Sequence, residues 1–347
     1  MPRILIVAPS WIGDALLAQP LLRRLHDKLG RVRLDALAPA WCAPLLERMP
    51  EIEDVIASPF AHGELKLRAR WKLGRELAKR NYDQVIVLPN SFKSALIPFF
   101  ANIPLRAGYA GESRYGLLNL VHKLDPAKLP LMAERYAQLA EKPGAELQRP
   151  LPPVRLQVDP VNTARTTARL NLDRSRPVAV FCPGAEYGPA KRWPAQHFAA
   201  LARALAERGH AVWLIGSGKD AALGEEICAQ SDGACINLCG QTDLASAVDL
   251  IACAKLVVSN DSGLMHVAAA LGKPLIALYG SSSPAHTPPL SLSSKPGTAR
   301  IVNVDIECSP CYARSCPLTH FKCMNDLEPA RVLAEIDALV APARTGD

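Results

Sequence analysis

Short runs dense in Val, Ile, Leu and Ala recur along the chain and alternate with longer stretches whose apolar positions return every three or four residues. Strands buried on both faces read as continuous apolar runs, and their alternation with helical stretches is the pattern of a parallel sheet with crossover helices. In the first half the pattern predicts strands over Ile4–Ala8, Val32–Leu37, Asp54–Ile56 and Gln84–Leu88. The intervening helices are predicted over Ala15–Lys28, Trp41–Arg48, Lys66–Arg80 and Ser91–Ala101. Between Lys142 and Pro160 stand Pro143, Pro150, Pro152, Pro153 and Pro160, which predict a stiff, extended connector.

The alternation then restarts. Strands are predicted over Val178–Cys182, Ala211–Ile215, Cys235–Leu238, Leu256–Ser259 and Leu275–Tyr279, and helices over Ala195–Arg208, Ala221–Gln230, Leu244–Cys253 and Gly263–Leu271. The fold class is therefore α/β, with two Rossmann-like, doubly wound domains expected to face each other across a cleft. Their bounds are 1–155 and 156–347. A last helix, about Pro329–Val340, follows a long irregular segment and is free at this level to pack back onto the first domain.

A chain of 347 residues, 49% hydrophobic and 21% charged, is long enough for two cores and too apolar to be disordered. The opening apolar run is too short for a signal peptide, and no stretch approaches the ~20 apolar residues of a spanning helix, so a cytoplasmic location is expected. Ten cysteines in a chain with no export signal are expected to be free thiols. The net charge of +7 favours anionic partners, and Lys66, Arg68, Arg70, Lys72, Arg75, Lys79 and Arg80 concentrate it on one helix. A solvated helix face and attraction to a phosphorylated or membrane-surface partner explain this charge equally well; nucleic acid is not an expected partner.

In an open parallel sheet, ligands bind beyond the carboxyl ends of the strands. The loop Asn260-Asp261-Ser262-Gly263-Leu264-Met265-His266 runs from a predicted strand straight into a helix. It would aim the free N–H groups of Ser262, Gly263 and Leu264, with the helix dipole behind them, at one anion. Asp261 could accept from sugar hydroxyls, or Asp261 or Ser262 could simply cap the helix. His266 is either a packed helix residue or a phosphate contact. The loop Pro183–Pro194 carries Glu186, Tyr187, Lys191 and Arg192 and enters a helix whose expected first position is Pro194. Glycine and proline pin this loop at the sheet's carboxyl edge, which favours Lys191 as a fixed cation for a diphosphate over a merely solvated charge.

Gly216–Asp220 completes no phosphate-loop or dinucleotide motif and reads as a tight turn. In the first domain Ser10, Trp11, Gly13 and Asp14 follow the first strand, and Asp14 is either a general base or an N-cap. Cys308, Cys311, Cys316 and Cys323, with His320, fit no common zinc spacing, so no metal is assigned to them.

With these loops in hand the chain resembles glycosyltransferase family 9, the heptosyltransferases of the lipopolysaccharide core. The likeness rests on Ser10-Trp11-Ile12-Gly13-Asp14, on Pro183–Pro194, on Asn260–His266 and on the cysteine run, and it extends over nearly the whole chain. The resemblance implies a GT-B architecture with an N-terminal acceptor domain and a C-terminal donor domain. It implies an inverting transfer, with no cofactor and no metal, from ADP-L-glycero-D-manno-heptose to the first heptose of an inner core on Kdo2-lipid A, made peripherally at the cytoplasmic surface of the inner membrane.

On that resemblance Asp14 is the base, with Ser10, Trp11 and Gly13 on the acceptor side. Lys191 and the amides of Ser262, Gly263 and Leu264 hold the diphosphate, Asp261 the heptose, and Glu186, Tyr187 and His266 complete the donor site. Three alternatives are a family member acting on unheptosylated Kdo2-lipid A, a sugar-nucleotide epimerase on the same two-domain plan, and a two-lobed ligand-binding protein, which would normally be exported.

Overall fold

The apolar runs form strands in which nearly every residue is buried, as double-sided coverage demands: Leu5, Val85, Ile86 and Val87 in the first half and Val180, Phe181, Val257 and Ile276 in the second are fully buried. The computed structural model describes residues 1–60, 63–290 and 298–340. The chain divides into two compact units, Met1–Gln157 and Val158–Asp347.

Unit 1 runs β1 (Arg3–Val7), α1 (Ile12–Leu17), α2 (Gln19–Leu29), β2 (Arg33–Pro39), α3 (Ala43–Leu46), β3 (Asp54–Ser58), α4 (Leu67–Ala78), β4 (Gln84–Val87), α5 (Phe92–Phe100), β5 (Leu105–Tyr109), β6 (Leu120–His122) and α6 (Met132–Gln138). Its six strands are parallel in the order β3-β2-β1-β4-β5-β6, with Ile6 opposite both Ala36 and Ile86. The order reverses between β1 and β4. The single helix expected over Ala15–Lys28 is two: Pro20, the second residue of α2, offers no N–H and crowds the carbonyl four residues back, so the chain breaks at Ala18. β5 went unread because Arg106 and Gly108 interrupt its apolar run. The glycine is a packing requirement, since a Cβ there would lie 3.1 Å from both the Val87 carbonyl oxygen and Leu118.

Unit 2 runs α7 (Pro160–Arg169), β7 (Val178–Cys182), α8 (Ala195–Glu207), β8 (Ala211–Leu214), α9 (Ala221–Gln230), β9 (Cys235–Asn237), α10 (Leu244–Ala252), β10 (Leu256–Asn260), α11 (Gly263–Ala270), β11 (Leu275–Tyr279), β12 (Ala299–Asn303), α12 (Lys322–Asn325) and α13 (Pro329–Val340). Its sheet is also parallel and six-stranded, in the order β12-β11-β10-β7-β8-β9. Pro160, assigned above to the connector, instead opens α7: the Asp159 carboxylate caps the helix by accepting from the N–H groups of Val161 and Asn162.

The last helix belongs to this unit. Val332 and Ile336 of α13 join Phe198, Leu205 and Val302 in its core, and the helix packs on α8, β11 and β12. Its apolar stripe therefore has a partner within unit 2.

Candidate functional site

β7 and β10 are adjacent in unit 2, and the strand order reverses between them. The loops leaving their carboxyl ends diverge to opposite sides of the sheet, which opens a crevice there for ligands. The two loops singled out by sequence, Pro183–Pro194 after β7 and Asp261–Ser262 after β10, are these two. Buried Asn260, at the end of β10, ties them: its amide nitrogen donates to the Pro183 carbonyl (2.7 Å) and its oxygen accepts from the Trp193 N–H (3.1 Å). Trp193, fully buried, donates its indole N–H to the Leu327 carbonyl (2.7 Å). Pro194 is the N-cap of α8, one position before the first helical position expected for it.

Between these anchors the loop makes one 3₁₀ turn, Pro189–Lys191, which delivers Lys191 to Asp261 with Nζ 2.5 Å from Oδ2. The same carboxylate oxygen accepts from Ser282 Oγ at 2.5 Å, from the loop after β11. Lys191 Nζ also lies 5.0 Å from the centre of the Tyr187 ring, a cation–π contact. An ammonium group is thus held at the carboxyl edge of the sheet by a carboxylate and an aromatic face.

Ser262 occupies the N-cap position of α11, but its side chain makes no capping bond, and Asp261 is engaged by Lys191 and Ser282. Gly263 and Leu264 are the first two helical residues, and the first N–H groups of a helix have no acceptor within it. The capping alternative for this loop therefore gives way to an N-terminus with positive dipole beside a fixed lysine. His266, one turn in, is 6% exposed, and its Nδ1 has no hydrogen-bond partner among the described residues. Burial lowers its pKa to about 4 against the opposing pull of Asp261, so the ring is neutral at pH 7 and offers hydrogen-bonding nitrogens, not a positive charge, beside this helix N-terminus.

Glu186 points to the next loop, where Lys219 Nζ stands 2.5 Å from its carboxylate; both side chains are exposed. The Gly216–Asp220 segment is a tight turn organised by Asp220, which accepts from the N–H (2.9 Å) and the hydroxyl (2.7 Å) of Ser217. Asp220 also comes within 4.0 Å of Arg192 and fills the space a Cβ on Gly184 would need. Asp220 and Ser282, neither of which carries a motif in the sequence, thus brace the two loops that do. The signal that could have found Ser282 was its position after the last buried strand.

In unit 1 the corresponding point lies after β1. Trp11, not Asp14, is the N-cap of α1, and its side chain makes no capping bond; Asp14 is the third helical residue. The N-cap reading of Asp14 is corrected on this point. Its carboxylate is close enough to buried Cys42 to add to the burial that holds that thiol up at about 12, and it raises Tyr136 in the same secondary way. Ser10 precedes α1, Trp11 is its N-cap and Gly13 its second residue, and Trp41 donates its indole N–H to the Ser10 carbonyl at 3.0 Å. Trp11 and Trp41 stay about half exposed.

Of the seven cations read on α4 and its flanks, Arg70 is buried and donates to the carbonyls of Leu65, Glu64 and Lys93, and Arg80 pairs with Asp54. Lys66, Arg68, Lys72, Arg75 and Lys79 remain exposed. All ten cysteines are free thiols. Cys308, Cys311, Cys316, Cys323 and His320 line one small cavity of about 30 Å³, but no group of three or more His, Cys, Asp or Glu residues is arranged to hold a metal ion among the described residues. No helix among them is long and apolar enough to cross a membrane.

The sequence profile of glycosyltransferase family 9 (heptosyltransferase) matches residues 70–322. The chain is 47% identical to lipopolysaccharide heptosyltransferase 2 of Escherichia coli K12, over 97% of this chain and 98% of that one. It is 46% identical to lipopolysaccharide heptosyltransferase 2 of Salmonella typhimurium LT2, over 98% and 99%. The solved structure of E. coli ADP-heptose lps heptosyltransferase II superposes with a TM-score of 0.86 at 45% identity, covering 98% of both chains.

Proposed function

The chain belongs to glycosyltransferase family 9, the heptosyltransferases, and on that premise we propose that it transfers heptose from ADP-L-glycero-D-manno-heptose to the first heptose of the lipopolysaccharide inner core. The observation that carries the reading is the meeting of Lys191, Asp261 and the N-terminus of α11 at the reversal point of the unit 2 sheet. Unit 2 is then the donor domain and unit 1 the acceptor domain.

In this reading Asp14 takes the proton of the acceptor hydroxyl as its oxygen attacks the anomeric carbon. The bond to the diphosphate breaks in the same displacement, inverting the configuration. Negative charge that grows on the departing ADP falls on the Lys191 ammonium and on the N–H groups and dipole at the start of α11, in place of a metal ion. Asp261 orients Lys191 through the 2.5 Å contact and faces the sugar with what hydrogen-bonding capacity Lys191 and Ser282 leave it. Glu186, Tyr187 and His266 complete the donor pocket.

The exposed cations of α4 lie beside exposed Leu67 and Trp71, a combination suited to an anionic lipid surface. It supports a peripheral position at the cytoplasmic face of the inner membrane, where such an acceptor is built.

The test is ADP release from ADP-heptose and mono-heptosylated acceptor in the presence of EDTA, comparing wild type with Asp14→Asn. Release by the wild type, reduced at least 100-fold in the variant with donor affinity retained, is the expected result. Equal rates would remove Asp14 as the base, and loss of wild-type activity in EDTA would remove the metal-free mechanism.

A further inference from the structure

The segment from Cys308 to Cys323 has no regular secondary structure apart from the start of α12, yet its middle is fastened to the donor loops at defined points. The Tyr187 hydroxyl donates to the Tyr312 carbonyl (2.7 Å), the Ala190 N–H to the Arg314 carbonyl (3.0 Å), and the Tyr312 N–H to the Ser281 carbonyl (2.6 Å). A Cβ on Gly188 would collide with the Arg314 carbonyl oxygen, so the two backbones touch at a position where only glycine fits. These contacts fix Arg314 against the loop that carries Lys191.

The Arg314 guanidinium lies over the Tyr187 ring, 5.3 Å from its centre, and Lys191 Nζ lies 5.0 Å from the centre of the same ring. Two cations from segments 123 positions apart, Lys191 and Arg314, therefore share one aromatic residue beside the N-terminus of α11. Lys191 is partly neutralised by Asp261, whereas the exposed Arg314 head group rests on the ring. A planar guanidinium held on an aromatic face keeps its outward N–H groups in a fork that matches two phosphate oxygens.

We propose that Arg314 is a second phosphate-binding cation of the donor site, carried by the cysteine-rich segment and engaging the diphosphate of the nucleotide together with Lys191. The assignment rests on the reading of unit 2 as a nucleotide-diphosphate site. It gives the cysteine-rich segment a role in ligand binding, with Tyr187 as the platform that spaces the two cations.

Calorimetric titration of the full-length protein with ADP and with adenosine, for wild type, Arg314→Gln and Arg314→Lys, tests it. The expected result is that Arg314→Gln weakens ADP binding about tenfold, roughly 1.4 kcal/mol, leaves adenosine affinity unchanged, and is partly rescued by Arg314→Lys. ADP affinity within twofold of wild type in Arg314→Gln would overturn the proposal. So would a parallel loss of adenosine affinity, because the residue would then be acting on the shape of the loop and not on phosphate. If the wild type itself bound no ADP, the donor-site reading would fall first, and that outcome is distinct from both.

Discussion

His266 shows how far environment can move a residue from its sequence-level meaning. Beside the start of a helix and a lysine a histidine invites a cationic reading, but this ring is buried, and burial takes its pKa down to about 4. In the unfolded chain the ring titrates near 6.5, so as pH falls the unfolded state takes up this proton first. The stability contributed by neutral His266 is therefore complete above about pH 6.5 and is lost as the pH drops toward 4, by at most about 3 kcal/mol. Urea unfolding followed from pH 7 to 4.5 should show a shallower loss of stability in His266→Gln than in wild type; parallel curves would mean that the ring is not held neutral. Asp14, Lys191 and Asp261 could be singled out because each follows a dense apolar run that predicts a strand ending at the sheet's carboxyl edge. The roles of Ser282 and Arg314 could not be, because their partners follow from three-dimensional proximity between loops: its place after the last buried strand marks Ser282 only as a loop residue, and nothing local points to a partner 21 positions away.

At the scale of elements, the long apolar strands were legible to within a residue or two, and the failures have local causes. β5 is interrupted by Arg106 and Gly108, β6 has three residues, and Pro20 divides a helix whose apolar spacing continues across the break. Edge strands such as β12 are only partly buried, so their sequences carry little of the two-sided apolar signal. One glycine makes a sharp prediction about packing between elements. Gly74 lies where α4 crosses α5, and a Cβ there would stand 2.6 Å from Phe100 Cβ and 2.8 Å from the Ile97 carbonyl oxygen. In an exposed helix Gly→Ala stabilises by about 0.5–1 kcal/mol. Here the intruding methyl meets backbone and a Cβ that cannot rotate away, so Gly74→Ala should destabilise by about 1–3 kcal/mol. A chemical-denaturation curve decides it: a gain in stability would show that the two helices are not in close contact.

For the whole molecule, two doubly wound sheets place chemistry at the carboxyl ends of their strands, and each unit contributes a different kind of group there. Unit 2 offers positive charge from Lys191 and a helix N-terminus, while unit 1 offers the carboxylate of Asp14 in the first turn of α1. That division suits group transfer from an anionic donor to a hydroxyl acceptor, and membership of the heptosyltransferase family names the group. Sequence patterning indicated the two-domain α/β plan because buried parallel strands leave a strong apolar signature, but it could not place α13, whose stripe would suit any apolar surface of either unit. The most direct measurement of the central claim is a mass-spectrometric transfer assay that offers ADP-heptose with two acceptors in parallel, Kdo2-lipid A bearing one heptose and Kdo2-lipid A bearing none. The account predicts that one heptose is added to the first acceptor and none to the second; addition to the unheptosylated acceptor alone would contradict it.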